Sequence, residues 1–214
     1  MMFVLSDTPT VGNHFLAELR DAGIQQDTMR FRRNMERLGE IFAYEISKSM
    51  QYVETDFETP LGTATVPVLE EQPVLATILR AGLPLHQGLL NFFDKADSAF
   101  ISAYRKVNKG GGFSIQSDYA ATPDLDGKIL VISDPMLATG MSMVLCCKEL
   151  LGQYTIKAVH IVAVIASAEG INYVKANLPK AHLWIGAIDE EMTTKAYIVP
   201  GLGDAGDLAF GVKI

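Results

Sequence analysis

From residue 74 onward, apolar runs alternate with segments of helical periodicity, and this alternation constrains the fold more than any other feature of the chain. Strands that are apolar throughout are typical of parallel sheets covered on both faces by helices. Five runs have the length of strands, namely 74–79, 99–104, 128–133, 158–166 and 182–188. The helical segments between them are 83–93, 142–153 and 168–178. The sequence therefore predicts an α/β fold with an open, doubly wound parallel sheet, in which ligands bind beyond the carboxyl ends of the strands.

Two smaller elements precede the predicted sheet. Residues 28–50 repeat apolar side chains at spacings of three and four, which predicts an amphipathic helix. This N-terminal helical arm could form a subunit interface or pack on its own sheet. Residues 51–72 alternate in short stretches broken by proline, which predicts a small β excursion outside the main sheet.

Length and composition favour one globular domain. The chain has 214 residues, of which 49% are hydrophobic, so it can bury a substantial core. We expect a single domain over 1–214, with the arm and β excursion in 1–73, the core in 74–188 and a C-terminal hood in 189–214.

Charge and cysteine content restrict the function classes. The net charge of −7 disfavours a nucleic-acid binder, which needs a basic face for phosphates. The beginning of the sequence lacks the pattern of an export signal, and no window of 18 residues is uninterrupted and apolar, so we expect a cytoplasmic protein without membrane contact. Adjacent Cys146 and Cys147 predict neither a disulfide nor a metal site, and the four scattered histidines are assigned no catalytic role.

The segment 128–151 carries the clearest chemical pattern. An apolar strand leads to Asp134, and a turn containing Thr139, Gly140 and Ser142 then enters a helix. Amides and hydroxyls at the positive end of a helix can hold a phosphate, and a neighbouring carboxylate can accept hydrogen bonds from ribose hydroxyls. A sugar phosphate is therefore the favoured ligand. The alternative is a capped helix in which Asp134 only satisfies turn amides.

A glycine-rich turn lies near the end of the chain. Residues 201–206, GLGDAG, match the G-x-G-x-x-G spacing of a dinucleotide fingerprint. That fingerprint functions between a strand and a helix of a βαβ unit, and only eight residues, DLAFGVKI, follow it here. The turn must therefore serve another purpose.

The sequence resembles the type I phosphoribosyltransferases, and within them the uracil phosphoribosyltransferases. The motif DPMLATG at 134–140 has the uracil-specific form, since most type I enzymes carry a second acid where Pro135 stands here. Three further segments agree in order: FRRNMERLGEIFAYE at 31–45, ILRAGLPLHQGLL at 78–90 and YIVPGLGDAGD at 197–207. The resemblance implies pyrimidine salvage, in which uracil and 5-phosphoribosyl 1-pyrophosphate (PRPP) give UMP and diphosphate.

The resemblance also implies roles for individual residues. Arg80 and Arg105, at the ends of the first two predicted strands, would bind the pyrophosphate, and with Asp134 they are the candidate catalytic residues. The other residues expected to bind PRPP are Pro135, Met136, Leu137, Ala138, Thr139, Gly140, Met141, Ser142 and Asp204. Uracil would be bound by Tyr197, Ile198, Gly203, Asp204 and Ala205, largely through backbone groups. No protein side chain would bind metal directly, because Mg²⁺ would arrive with the diphosphate.

Two departures from the family pattern affect these expectations. Met141 stands where a glycine commonly follows ATG, so its side chain could narrow the phosphate cradle. The segment 105–127 begins RKVNKGGGF, where Lys106 and Lys109 add positive charge and three glycines follow. We expect this segment to be a mobile loop or β excursion, serving as a lid or simply solvated.

The family resemblance extends to assembly and regulation. It implies a homodimer or larger homo-oligomer and a GTP effector. The alternative function belongs to another class: a catalytically weak or inactive regulator that has the same fold, senses nucleotides and binds RNA. The acidic net charge of the chain counts against this hypothesis. A transferase for another base is disfavoured by the GLGDAGD turn.

Overall fold

The computed structural model describes residues 1–107 and 113–213; for residues 103–107 and 113–118 it describes the backbone. The strands are β1 (Met2–Val4), β2 (Tyr52–Thr59), β3 (Gly62–Leu69), β4 (Val74–Leu79), β5 (Ser98–Val107), β6 (Phe113–Ala121), β7 (Ile129–Ser133), β8 (Met136–Leu137), β9 (Ala158–Ser167), β10 (His182–Asp189), β11 (Glu191–Met192) and β12 (Ile198–Val199). The α-helices are α1 (Val11–Arg20), α2 (Thr28–Ser47), α3 (Leu83–Phe92), α4 (Met141–Gln153), α5 (Ala168–Asn177) and α6 (Ala205–Phe210). Short 3₁₀ turns occupy Leu5–Asp7 and Ile24–Gln26.

The main sheet has the strand order β1-β10-β9-β7-β4-β5-β6, with β8 also paired to β9. All of its pairings are parallel except that of β6, which runs antiparallel to β5 at one edge. The five predicted strands are confirmed as β4, β5, β7, β9 and β10. Strands β2 and β3 form a separate antiparallel pair, which confirms the predicted β excursion.

Strand β5 extends further than its apolar run. It continues to Val107 because β6 pairs with it beyond the apolar residues, and the segment after Arg105 is therefore partly β structure. Arg105 lies within β5 opposite Ile115, so the expectation that it follows the end of the strand was wrong. The predicted loop residues Lys109 and the three glycines after it lie outside the described residues.

Helices cover both faces of the sheet, which confirms the doubly wound arrangement. One core cluster packs α1, α2 and α3 against one face, and a second packs α4 and α5 against the other. The apolar face of the predicted arm, now α2, is buried in the first cluster, so it packs within its own chain. Cys146 and Cys147 are buried free thiols of the second cluster. Among the helices of the described residues, none is both long and apolar enough to cross a membrane.

Helices α2 and α3 approach each other backbone to backbone through two glycines. A Cβ atom placed on Gly88 would lie 1.9 Å from the carbonyl oxygen of Glu36, and one placed on Gly39 would lie 2.3 Å from that of Leu85. Real Cβ atoms do not approach this closely, so even a methyl group at either position would force the helices apart. The spacing between these two helices therefore depends on both glycines.

We expect Gly88→Ala to lower the free energy of unfolding by about 1–3 kcal/mol, the range measured for overpacked cores. The matched control is Gly152→Ala in α4, where an added Cβ meets no atom within 4 Å. There alanine should be neutral or stabilising by up to about 1 kcal/mol, because it restricts the unfolded chain. Urea denaturation of both variants provides the comparison. Equal stability of the two would contradict the close-packing argument.

Candidate functional site

A cavity of about 490 Å³ opens beyond the carboxyl ends of the central strands, between the turn after β7 and the C-terminal segment. It is lined by Ala81, Asp134, Met136, Ala138, Ser142, Lys195, Ala196, Tyr197, Ile198, Gly203, Asp204, Ala205, Gly206 and Lys213. Nine of these residues were predicted from the sequence as site residues. The structure therefore brings the predicted phosphate turn and the predicted base turn onto one cavity.

A smaller cavity of about 40 Å³ adjoins the first at the start of α4. Its walls are formed by Asp134, Met136, Leu137, Ala138, Thr139, Gly140, Ser142 and Met143. Four of these residues, Asp134, Met136, Ala138 and Ser142, also line the larger cavity. This placement next to the positive end of a 13-residue helix suits a bound anion.

The turn before α4 is seated on the start of α5. Gly140 has φ +73°, and a Cβ atom there would lie 2.8 Å from the carbonyl oxygen of Gly170. A Cβ atom on Gly170 would in turn lie 2.3 Å from the carbonyl oxygen of Ala138. The hydroxyl of Ser167 donates to that same carbonyl at 2.5 Å and accepts from the Gly170 N–H at 2.8 Å. The phosphate turn is therefore held by a neighbouring strand and helix.

Ser167 and Gly170 support the phosphate turn, and the sequence analysis did not predict this role. Serine three residues before glycine, at the start of a helical pattern, is a recognisable N-cap signal. That signal shows where α5 begins, but not that α5 carries the turn of α4.

Met141 and Pro135 lie outside the linings of both cavities. Met141 is the first residue of α4, and its N–H lies 3.4 Å from the Thr139 hydroxyl oxygen. The methionines that do line the smaller cavity are Met136 and Met143. Pro135 is buried, and its carbonyl accepts hydrogen bonds from the N–H groups of Val164 and Ile165. It therefore ties the turn to β9.

Asp134 directly follows β7 and lines both cavities. Burial raises the pKa of its carboxyl group to about 7, although a hydrogen bond from the Met136 N–H at 3.3 Å acts in the opposite direction. Near neutral pH the group is therefore poised between its neutral and charged forms. A ligand that donates hydrogen bonds would favour the carboxylate.

Arg80 follows β4 directly and is bound to the C-terminal segment. Its Nη2 donates to Asp207 Oδ1 at 2.9 Å and to the Gly211 carbonyl at 2.5 Å. Its Nε is buried and has no hydrogen-bond partner among the described residues. The side chain lies behind the cavity wall, since a Cβ atom on Gly206 would be 3.7 Å from Nε. Arg80 thus holds α6 in place rather than facing the cavity.

The backbone of Arg105 lies in β5, opposite Ile115, and its side chain falls outside the part of the chain that the structure describes. Its predicted contact with pyrophosphate stays a prediction.

The base turn follows the small antiparallel pair β11 and β12. Gly201 and Gly203 have φ values of +56° and +93°, in a region that favours glycine. Asp204 accepts a hydrogen bond from the Asp207 N–H at 2.9 Å and so caps α6. The glycine-rich turn thus enters a six-residue helix from a two-residue antiparallel strand, which differs from the βαβ setting of a dinucleotide fingerprint.

Two lysines line the larger cavity and were missed in the sequence. Lys195 belongs to the connection between β11 and β12, and Lys213 follows α6. Lysines in short polar segments carry no spacing signal, so only the fold shows that they face a shared site. With Asp134 and Asp204 they give the cavity groups of both charges.

Among the side chains that the structure describes, at residues 1–102 and 119–213, no three of His, Cys, Asp or Glu are placed to hold a metal ion together. The carboxylates that line the cavity are those of Asp134 and Asp204. Two separate carboxylates suit a hydrated Mg²⁺ bound mainly by substrate phosphates, because Mg²⁺ usually keeps several of its waters.

Comparison with known proteins identifies the family. The family model described as uracil phosphoribosyltransferase matches residues 5–212 of this chain. The chain belongs to the uracil phosphoribosyltransferase family. The predicted family and its enzyme class, a pentosyltransferase, are confirmed.

Individual relatives agree with this membership. A uracil phosphoribosyltransferase from Porphyromonas gingivalis is 52% identical over 203 residues, which are 94% of each chain. A solved structure of a protein from Aquifex aeolicus superposes with a TM-score of 0.88 at 30% identity and covers all of both chains. A hypoxanthine phosphoribosyltransferase from Staphylococcus aureus has a TM-score of 0.50 at 15% identity, over 74% of this chain and 76% of the other. The last of these shares the fold.

We expect Arg80→Gln to speed amide exchange in α6 by about threefold to tenfold, because it removes the charged hydrogen bonds to Asp207 and Gly211. Hydrogen exchange followed by mass spectrometry checks this. The control variant is Arg33→Gln, whose surface ion pair with Glu36 has no contact with α6. Identical exchange of α6 in both variants would contradict the tether.

Proposed function

We propose that this chain transfers the phosphoribosyl group of PRPP to N1 of uracil, releasing diphosphate and forming UMP. The observation that carries the proposal is the cavity whose walls come from both the turn at 134–142 and the turn at 197–206. A transferase must hold donor and acceptor side by side, and this shared cavity provides for both. Membership in the family supports the same reaction.

The turn at 134–142 would bind the ribose 5-phosphate. Amides at the start of α4, with the hydroxyls of Thr139 and Ser142, supply hydrogen-bond donors without a full positive charge. Asp134, at the edge of this cradle, would accept hydrogen bonds from the ribose hydroxyls. Because its pKa lies near 7 in the free protein, substrate binding would draw the group toward its charged form.

Arg80 and Arg105 would stabilise the negative charge that develops on the departing diphosphate. Guanidinium groups suit this task because they stay charged and offer paired donors to phosphate oxygens. The Nη2 of Arg80 would have to exchange partners for this task, since it is bound to Asp207 and Gly211, whereas its Nε has no partner among the described residues. Bound Mg²⁺ would neutralise further charge on the diphosphate. Asp134 and Asp204 are the cavity carboxylates that could accept hydrogen bonds from its water ligands.

The turn at 197–206 would recognise the base through its backbone. Ile198, Gly203 and Ala205 line the cavity where amide and carbonyl groups can meet the edge of a flat, neutral ring. Tyr197 lines the same wall and would contact the face of the ring. A GTP effector, a homo-oligomeric state and a cytoplasmic location stay predictions of the family resemblance.

The test is diphosphate release from PRPP with Mg²⁺, with uracil, cytosine, adenine, guanine and hypoxanthine each supplied separately. Release with uracil alone is the expected result. Release with another base would overturn the assigned acceptor. Absence of release with any base, in a folded protein that binds UMP, would favour the nucleotide-sensing regulator.

We expect PRPP affinity to rise about fivefold between pH 6 and pH 7, then by a further factor of about two, and to level off above about pH 8. The free protein holds Asp134 neutral below its raised pKa, and binding requires the carboxylate. Asp134→Asn should bind more weakly at pH 8 and lose this dependence, while keeping any dependence caused by the phosphates themselves. Calorimetric titration from pH 6 to pH 8.5 measures both proteins. The same pH profile in the variant would remove Asp134 from the binding step.

A further inference from the structure

A partly buried ion pair lies directly behind the base turn. Asp189 is the last residue of β10 and is 7% exposed, and Arg20 is the last residue of α1. Arg20 donates to both carboxylate oxygens of Asp189, at 2.8 Å each. Neither residue lines the cavity, and the reaction proposed above assigns neither a role.

Both members of this pair also bind the backbone of Gly201. The Gly201 N–H donates to Asp189 Oδ2 at 2.9 Å, and the Gly201 carbonyl accepts from Arg20 Nη1 at 2.9 Å. The two backbone polar groups of this glycine are therefore fixed by the end of β10, 12 residues earlier, and by α1, which is far away in sequence. Burial opposes the charge on Asp189, but the hydrogen bonds from Arg20 and Gly201 outweigh it and hold its pKa below the usual value.

The position of Gly201 leaves little freedom for adjustment. A Cβ atom there would lie 2.2 Å from the Ile198 carbonyl oxygen, so the chain folds back tightly on itself. Gly203 and Ala205, two and four residues later, line the cavity. A shift of Gly201 would therefore move the very backbone groups that face the base.

The far end of the same segment has its own anchors. Arg32 donates to the Ala209 carbonyl at 2.7 Å, and Arg80 holds Asp207 and Gly211. Loosening Gly201 would consequently disturb the turn at 201–205 while α6 stays attached. The phosphate turn is held separately by Ser167 and Gly170.

We infer that Arg20 and Asp189 are positioning residues for the base, which set the affinity for uracil and its preference over cytosine without acting on PRPP. The inference rests on the proposed function. Recognition by backbone groups has no mobile side chains to correct a misplaced turn, so selectivity depends on what holds that turn. Uracil and cytosine differ in the donors and acceptors of one edge, and a displaced backbone would match both poorly.

The test uses the full chain with Arg20→Lys and with Asp189→Asn. Lysine keeps the charge but cannot bind both carboxylate oxygens and the Gly201 carbonyl together. Asparagine keeps the shape but loses the charge. The control is Arg30→Lys in α2. Arg30 pairs with Glu18, which lies in α1 like Arg20, and this pair does not involve the turn. Steady-state rates are measured with uracil and with PRPP varied, and PRPP affinity is measured independently by calorimetry. Cytosine is tested as a competitive inhibitor, and the ratio of its inhibition constant to KM for uracil gives the preference for uracil.

We expect KM for uracil to rise about tenfold in both variants, the effect of losing one or two hydrogen bonds. The preference for uracil over cytosine should fall, while kcat, KM for PRPP and PRPP affinity stay within twofold. Arg30→Lys should match the wild type throughout. An unchanged KM for uracil would overturn the inference, and so would an equal weakening of uracil and PRPP binding. Either result would leave the proposed function standing.

Thermal unfolding of each variant separates positioning from general stability. Loss of the folded state in both variants would assign the ion pair to the stability of the whole domain and overturn its role toward the base. A wild-type protein that releases no diphosphate with uracil would overturn the proposed function itself, and the inference with it.

Discussion

The parallel pairing of β4, β7 and β9 is the constraint on which the site depends. Parallel strands finish at the same edge of a sheet, so the residues that follow them meet there although they are distant in sequence. Arg80 follows β4, Asp134 follows β7, and Ser167 ends β9. The buried apolar faces of these strands fix the register, and the register fixes the distances between the polar groups. Core packing and ligand chemistry are therefore set by one arrangement.

The elements that could be predicted are those with a strong local pattern. The five apolar strands, the amphipathic α2 and the motif after β7 all carry their signals within about 20 residues. Strand β1 was missed because three residues are too short to show a period. The segment of β6 was left open between a loop and a β excursion, because it mixes polar and apolar residues. The support of the site was missed for a different reason. Ser167 and Arg20 act through hydrogen bonds to distant backbone, which no spacing in the sequence encodes.

Three arginines bind the C-terminal segment. Arg20 and Arg32 each bind a backbone carbonyl of that segment, and Arg80 binds a carbonyl and the Asp207 carboxylate. Helix α6 has only six residues, of which Ala205 and Ala209 are buried in the first core cluster. Cationic side chains from α1, α2 and the end of β4 add hydrogen bonds that hold the segment around it. Arginine thus supports the segment at all three positions, and Arg80 is in addition a proposed diphosphate ligand.

The close contact of α2 with α3 has a consequence for the position of Arg80. Helix α3 begins three residues after Arg80, so the rigid path from Gly88 to Arg80 is short. Any change that widens the spacing of the two helices would carry the start of α3 with it and re-aim the guanidinium. The position of Arg80 therefore depends on the absence of a side chain larger than a hydrogen atom at Gly88. A substitution at Gly88 would therefore act on the candidate site through the position of Arg80.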